Sequence, residues 1–197
     1  MAKQSNLETF LGGVAKILGE KWQVDLLLKA GDTEEGEAIS AHKLVMIARS
    51  KVFKKMLESE KFKVLDGKIE TVTLYELKQE ELEALVEFIY NNRSVLSKKE
   101  KKHVGSLYKA ANKYEIPHMQ DLCRNELITS LNSSNALNVL EMSLNPIDRV
   151  LTFYALRYII PNLKTICNSD EFKVFFGNYP EIAVVIVKFA LNDHTFN

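Results

Sequence analysis

Apolar residues recur at helical spacing from the start of the chain: Leu7, Phe10, Leu11, Val14, Ile17 and Leu18, with Ser5 or Asn6 placed to cap. Gly12 and Gly13 interrupt this stripe. Each costs a helix about 1 kcal/mol relative to alanine and leaves room for another backbone. A stripe on a terminal helix has to be covered, either by the chain's own core or by a second chain. The pattern then changes. Residues 24–28 read as a largely buried strand, residues 31–36 as an acidic hairpin turn, and residues 37–40 as the returning strand. Helical spacing returns over residues 42–49 and 50–58, with Ser50 where an N-cap belongs. Residues 70–75 alternate and predict a third strand. Leu82, Leu85, Val86 and Ile89 line one face of a helix that stops at Asn91 and Asn92.

Ser97 to Lys102 is a charge run. It predicts the solvated start of a helix whose inner face is Val104, Leu107, Ala111 and Tyr114. Pro117 suits the first position of the next helix, which turns Met119, Leu122, Cys123, Leu127 and Leu131 inward. Beyond Asn132 the spacing is helical throughout. Pieces at 136–144, 147–160, 162–167, 170–176 and 181–191 are separated by Asn145-Pro146, Pro161-Asn162, Asn168-Ser169 and Tyr179-Pro180. Strands stop and short helices begin near residue 132, which predicts two domains, 1–131 and 132–197. Residues 192–197 are expected to fray.

The bulk numbers narrow the function. Of 197 residues, 46% are hydrophobic and 26% charged, as in an ordinary globular protein. Lys plus Arg and Asp plus Glu are 26 each, so no basic excess points to nucleic acid. The N-terminus lacks an apolar signal core, and the run from Ile182 to Val187 is far too short for a membrane span. Cys123 and Cys167 belong to no C-x-x-C pair, so no disulfide framework is expected. These features predict a cytoplasmic or nuclear protein with no membrane partner. Gly13 to Lys21 glances at a phosphate loop, but the glycine spacing is too long and Glu20 stands where lysine is needed. The four histidines are scattered without ligand spacing. We expect no enzyme activity, no metal and no cofactor. His42, between a strand and a helix, reads as structural, and both cysteines read as small core residues.

One series of short motifs adds more. Asp25-Leu26-Leu27-Leu28, Ala41-His42-Lys43, Ala48-Arg49-Ser50, Val52-Phe53, Phe88-Ile89-Tyr90 and the run from Ala110 to Tyr114 follow one another in the order of the BTB/POZ consensus, which the chain resembles. Leu122 to Leu127 resembles that family's M-C-E-x-x-L helix. Leu11-Gly12-Gly13 is similar to the MATH-BTB (speckle-type POZ) branch. The helices from Leu131 onward, beginning Asn135-Ala136-Leu137, resemble the start of a BACK region. The sequence holds no MATH domain, kelch repeat or zinc finger.

The resemblance implies an α+β BTB/POZ fold, a small mixed sheet flanked by helices with an N-terminal dimerisation helix, followed by an all-α BACK-like region. It implies a dimer seam of Leu7, Leu11, Val14 and Val45. It implies a charged pair, Asp25 and Lys43, which either borders the dimer groove or forms a structural ion pair. Contact with cullin-3 falls to Phe62, Val64, Asn112 and Tyr114. Phe62 is either the hydrophobic plug or an aromatic folded onto its own domain. Val64 stands where the family motif has glutamate, so one polar contact is lost. The tyrosine that builds higher oligomers in the MATH-BTB branch is missing near Val187. The implied function is a substrate-specific adaptor of a cullin-3-RING ubiquitin ligase. Its partners would be cullin-3, a second BTB chain (itself or another) and an unidentified substrate protein. The alternative is a dimerising scaffold or transcriptional cofactor with no cullin contact.

Overall fold

The computed structural model describes residues 6–32, 37–58, 69–91 and 93–192, and of residues 6–8, 10, 11 and 192 only the backbone. Phe62 and Val64 therefore lie outside the described residues. The first helix, α1 (Asn6–Gly19), precedes the strand β1 (Leu26–Ala30). Asp25, just before β1, turns its carboxylate to the backbone N–H of Lys43. Leu26, Leu28 and Ala30 are buried and Leu27 and Lys29 only partly so, the alternation of a strand with one face in the core. β2 (Ile39–Ala41) pairs antiparallel with it, Leu26 opposite Ala41 and Leu28 opposite Ile39. The chain then crosses over through α2 (Lys43–Arg49) and α3 (Lys51–Leu57). It returns as β3 (Glu70–Leu74), parallel to β1 on the other side, with Leu26 beside Glu70 and Ala30 beside Leu74. Parallel neighbours need such a crossover. The sheet order is β2-β1-β3. Gly31, just after β1, faces backbone: a Cβ there would lie 2.2 Å from the Tyr75 carbonyl oxygen, so no other residue fits.

Ser50 links sheet and helices. Its Oγ accepts from the Phe53 N–H at 3.0 Å, capping α3 as its position predicts, and donates to the Tyr114 carbonyl. α4 (Gln79–Tyr90) buries the expected Leu82, Leu85, Val86 and Ile89. It buries Ala84 and Phe88 as well, so it is core on more than one face. The charge run is not simply a solvated helix start. It forms a short helix, α5 (Lys98–Lys102), closed by reciprocal bonds: the Ser97 N–H donates to Glu100 Oε2 at 2.6 Å and the Glu100 N–H to Ser97 Oγ at 3.2 Å. That box draws Glu100 inside, where it is fully buried. Lys99 and Lys102 reach back to Glu83 and Glu80 on α4 at 2.6 and 2.7 Å. The chain breaks at His103 before α6 (Val104–Lys113), and Pro117 opens α7 (Pro117–Thr129).

The chain forms two compact units, Met1–Leu122 and Cys123–Asn197, divided within α7. The first holds the sheet and a core around Met46, Phe53, Leu85 and Leu107. The second holds α8 (Ala136–Met142), α9 (Arg149–Ile159), α10 (Leu163–Ile166), α11 (Asp170–Asn178) and α12 (Pro180–Asn192). Its core gathers Leu140, Leu151, Ala155, Ile159, Phe175 and Ile186. Asp148 caps α9, accepting from the Val150 and Leu151 N–H groups at 3.1 Å each, and its Oδ2 takes a 2.6 Å bond from Arg124 Nε. The reading of both cysteines as core holds for Cys123 alone. Cys167 is exposed, because α10 ends there and its apolar face ends with it. Among the described residues no single helix is long and apolar enough to cross a membrane.

Candidate interaction surface

α1 is the least covered helix of the first unit. Val14 is 37% and Ile17 48% exposed, and Leu18 alone of its described apolar side chains is partly buried. A Cβ added at Gly12 or Gly13 would meet nothing within 4 Å. The chain's own core thus leaves the described part of the stripe open. Of the other expected seam residues, Leu7 and Leu11 lie in α1 by backbone only. Val45, on α2, is half-buried, while its neighbour Leu44 is 72% exposed and is the apolar side chain that α2 presents outward.

The turn after α1 is fixed from below by His42. Lys21 and Gln23 adopt left-handed backbone with φ 54° each, a conformation that costs an L-residue unless its surroundings hold it. His42 Nε2 lies 2.7 Å from the Trp22 carbonyl oxygen, which can only accept, so Nε2 carries the proton. In the neutral ring Nδ1 then accepts from the Tyr90 hydroxyl at 2.7 Å, and that hydroxyl in turn accepts from the His42 backbone N–H at 2.7 Å. The ring is 6% exposed. Burial, and more weakly the charge of Asp25, push the Tyr90 phenol above its ordinary range despite the bond from the His42 backbone. His42 therefore works as a bracket between the turn, α2 and α4, which is its structural reading.

Asp25 and Lys43 do meet, but not as an ion pair. Asp25 Oδ1 accepts from the Lys43 backbone N–H at 2.8 Å, satisfying a free donor at the start of α2. The Lys43 ammonium goes instead to Glu70 Oε2 on β3, at 2.5 Å. Glu70 was not anticipated. The parallel register that sets Glu70 beside Leu26 brings it to α2, and that register is not written in either strand alone.

The expected cullin contacts part company. Asn112 is half-buried, its Nδ2 donating to the Tyr108 carbonyl at 2.9 Å and its Oδ1 accepting from Gln120 Nε2 at 2.7 Å. Tyr114 is a correction: it is 1% exposed and offers no contact surface. Its ring stacks on Phe53 with centroids 4.5 Å apart and planes 9° apart. Its hydroxyl donates to Glu76 Oε1, which also lies 2.9 Å from Lys113 Nζ. The cause is the end of α6, where the chain turns and folds the ring back under Ser50 and Phe53. Burial, with the neighbouring Glu76 carboxylate, drives the Tyr114 phenol far above its ordinary range. Burial also raises the Glu76 carboxyl, but the bonds from Tyr114 and Lys113 outweigh it and hold the group below the usual carboxylate range. Among the described residues no three His, Cys, Asp or Glu side chains converge as a metal would require.

This geometry, a three-stranded mixed sheet with a helical crossover and an uncovered first helix, coincides with a family match. The model of the BTB/POZ domain covers residues 16–131. The chain belongs to the BTB/POZ domain family. A BTB/POZ domain-containing protein of Arabidopsis thaliana is 57% identical over 192 residues, spanning 97% of this chain and 92% of the relative. A second from the same plant is 52% identical over 191 residues, spanning 97% and 85%. The BTB domain of zebrafish PATZ1 shares the fold at 16% identity and a TM-score of 0.50, over 66% of this chain and 100% of that one. BTB/POZ domains are in general protein-interaction modules. Within this BTB domain the His42 bracket and the Tyr114 stack are internal supports, and the α1 stripe and Leu44 are among the apolar side chains left open, with Trp22, Ile69, Tyr75 and Val95.

Proposed function

We propose that this protein is a dimerising interaction subunit that serves as a substrate-specific adaptor of a cullin-3-RING ubiquitin ligase. One observation carries the reading: Val14 and Ile17 of α1 lie open in the single chain, beside two glycines at which an added Cβ would meet nothing within 4 Å. Burying such a stripe in a second chain removes apolar area from water. The dimer would hold cullin and target together and raise their effective concentration. In this reading residues 1–131 are the BTB unit, residues 132–197 are BACK-like helices similar to those of adaptors, and the protein works in the cytoplasm or nucleus. The resemblance to the MATH-BTB branch, carried by Leu11-Gly12-Gly13, supports it.

A dimerising scaffold without cullin contact is the second reading. The burial of Tyr114 favours it, since that ring is spent inside the domain, and so does Val64 in place of glutamate. Calorimetric titration with the cullin-3 N-terminal domain separates the two. The adaptor reading expects weak binding by the wild type, abolished by Phe62→Ala. Val64→Glu should tighten it about tenfold, the worth of one charge-assisted hydrogen bond. If neither the wild type nor Val64→Glu binds at high concentration, the scaffold reading stands.

A further inference from the structure

The α9 helix of the second unit has two unlike faces. Leu151, Ala155 and Ile159 are fully buried and face α8 and the unit's core. Arg149, Val150, Phe153, Tyr154 and Arg157 are exposed. At 3.6 residues per turn these five fall within an arc of about 140°. Val150 is 52%, Phe153 56% and Tyr154 41% exposed, and Ile147, just before the helix, is 77% exposed. The two rings lean on one another edge to face, centroids 5.4 Å apart. The result is an apolar, aromatic strip with a guanidinium at each end. The Arg149 and Arg157 side chains make no ion pair or hydrogen bond with any described residue, whereas Arg124 of the same unit is bound to Asp148. Two arginines whose backbone positions lie about 12 Å apart along the helix axis, flanking exposed aromatic rings, have the composition of an interface anchor.

We propose that this face of α9 docks an acidic amphipathic helix of a partner protein. The charges choose the occupant. With no carboxylate of its own on the face, the strip favours a ligand whose acidic residues bracket an apolar stripe, each carboxylate taking one guanidinium fork. A carboxylate pair two helical turns apart spans the distance between Arg149 and Arg157. Nucleic acid is disfavoured: the unit carries six Lys or Arg against seven Asp or Glu, so it has no basic field to gather phosphates. The inference rests on the reading of this chain as an interaction subunit and names where a target would sit. It does not depend on cullin binding, so each can fail without the other.

The test uses the full chain and a labelled synthetic helix of about 14 residues, with a leucine stripe between two glutamates about eight residues apart. Fluorescence anisotropy should show saturable binding, lost when the peptide glutamates become lysine. The double variant Arg149→Glu, Arg157→Glu should weaken binding about tenfold or more, and should bind the lysine peptide instead. Phe153→Ala should weaken both peptides. All three side chains are exposed, and circular dichroism verifies the fold of each variant. Three results overturn the proposal. In the first, affinity does not change on charge reversal. In the second, a single-stranded RNA binds as well as the acidic peptide. In the third, the double variant alters the sedimentation mass of the protein alone, which would make the strip a seam between copies.

Discussion

Tyr114→Ala should lower the free energy of unfolding of the BTB unit by about 3–5 kcal/mol, the usual cost of emptying a fully buried aromatic site. The residue is 1% exposed and stacked on Phe53, itself fully buried, so its removal opens a cavity that the crossover helices and β3 cannot readily close. It also leaves Glu76 with Lys113 as its remaining side-chain partner. Urea or thermal unfolding would show the loss; a change below about 1 kcal/mol would mean that the ring is not packed as described. Tyr114→Phe separates the two contributions. It keeps the stack and removes the hydroxyl, at about 1 kcal/mol. Its signature is in the pH dependence. Glu76 sits below the ordinary carboxylate range in the folded chain, so the unfolded chain binds the proton more readily. The stabilisation is therefore complete above the unfolded carboxylate pKa and is lost as pH falls through the lower, folded one. In Tyr114→Phe that acid-side decline should be shallower. An identical slope in wild type and variant would remove the hydroxyl from the account.

The protein should sediment at about twice the 22.5 kDa chain mass, and Val14→Asp should return it to the mass of one chain. Val14 is already 37% exposed in the single chain, so a carboxylate there leaves the monomer fold intact. In a seam the same carboxylate would have to shed its water without a partner, which costs several kcal/mol. Apolar side chains such as Val14 and Ile17 give roughly 1.5–3 kcal/mol each when fully buried, so several per chain are needed against an association cost of about 4–15 kcal/mol. One buried charge is therefore enough to tip the balance. Leu11→Asp is the companion variant. A wild type that sediments as a single chain at micromolar concentration would sink the seam.

Much of this fold was legible because its signals are local. Ser50 before an apolar run, Pro117 at a helix start and the Asn-Pro and Tyr-Pro breaks of the second unit each act within a few residues. The α4 stripe is regular enough to fix its own inner face. The readings that changed depend on distant partners or on element ends. Tyr114 continues the stripe of Leu107 and Ala111, but whether a side chain at a helix end turns out or under depends on Phe53 and Ser50, some sixty residues away in sequence. Lys43 chooses Glu70 through a parallel register that no single strand encodes. Glu100 looks like one charge among five, and only the capping box with Ser97 draws it inward.

The two cysteines, unequal in their surroundings, give the molecule a ready-made address for chemistry. Cys123 is fully buried in α7 and Cys167 stands in solvent at the end of α10. A maleimide dye should modify one thiol per folded chain and the other only after denaturation. Every assembly of this protein then carries one reporter per subunit with no mutation made. Two spin labels in a pair of chains become a ruler, and the distance between them reads how the subunits are joined.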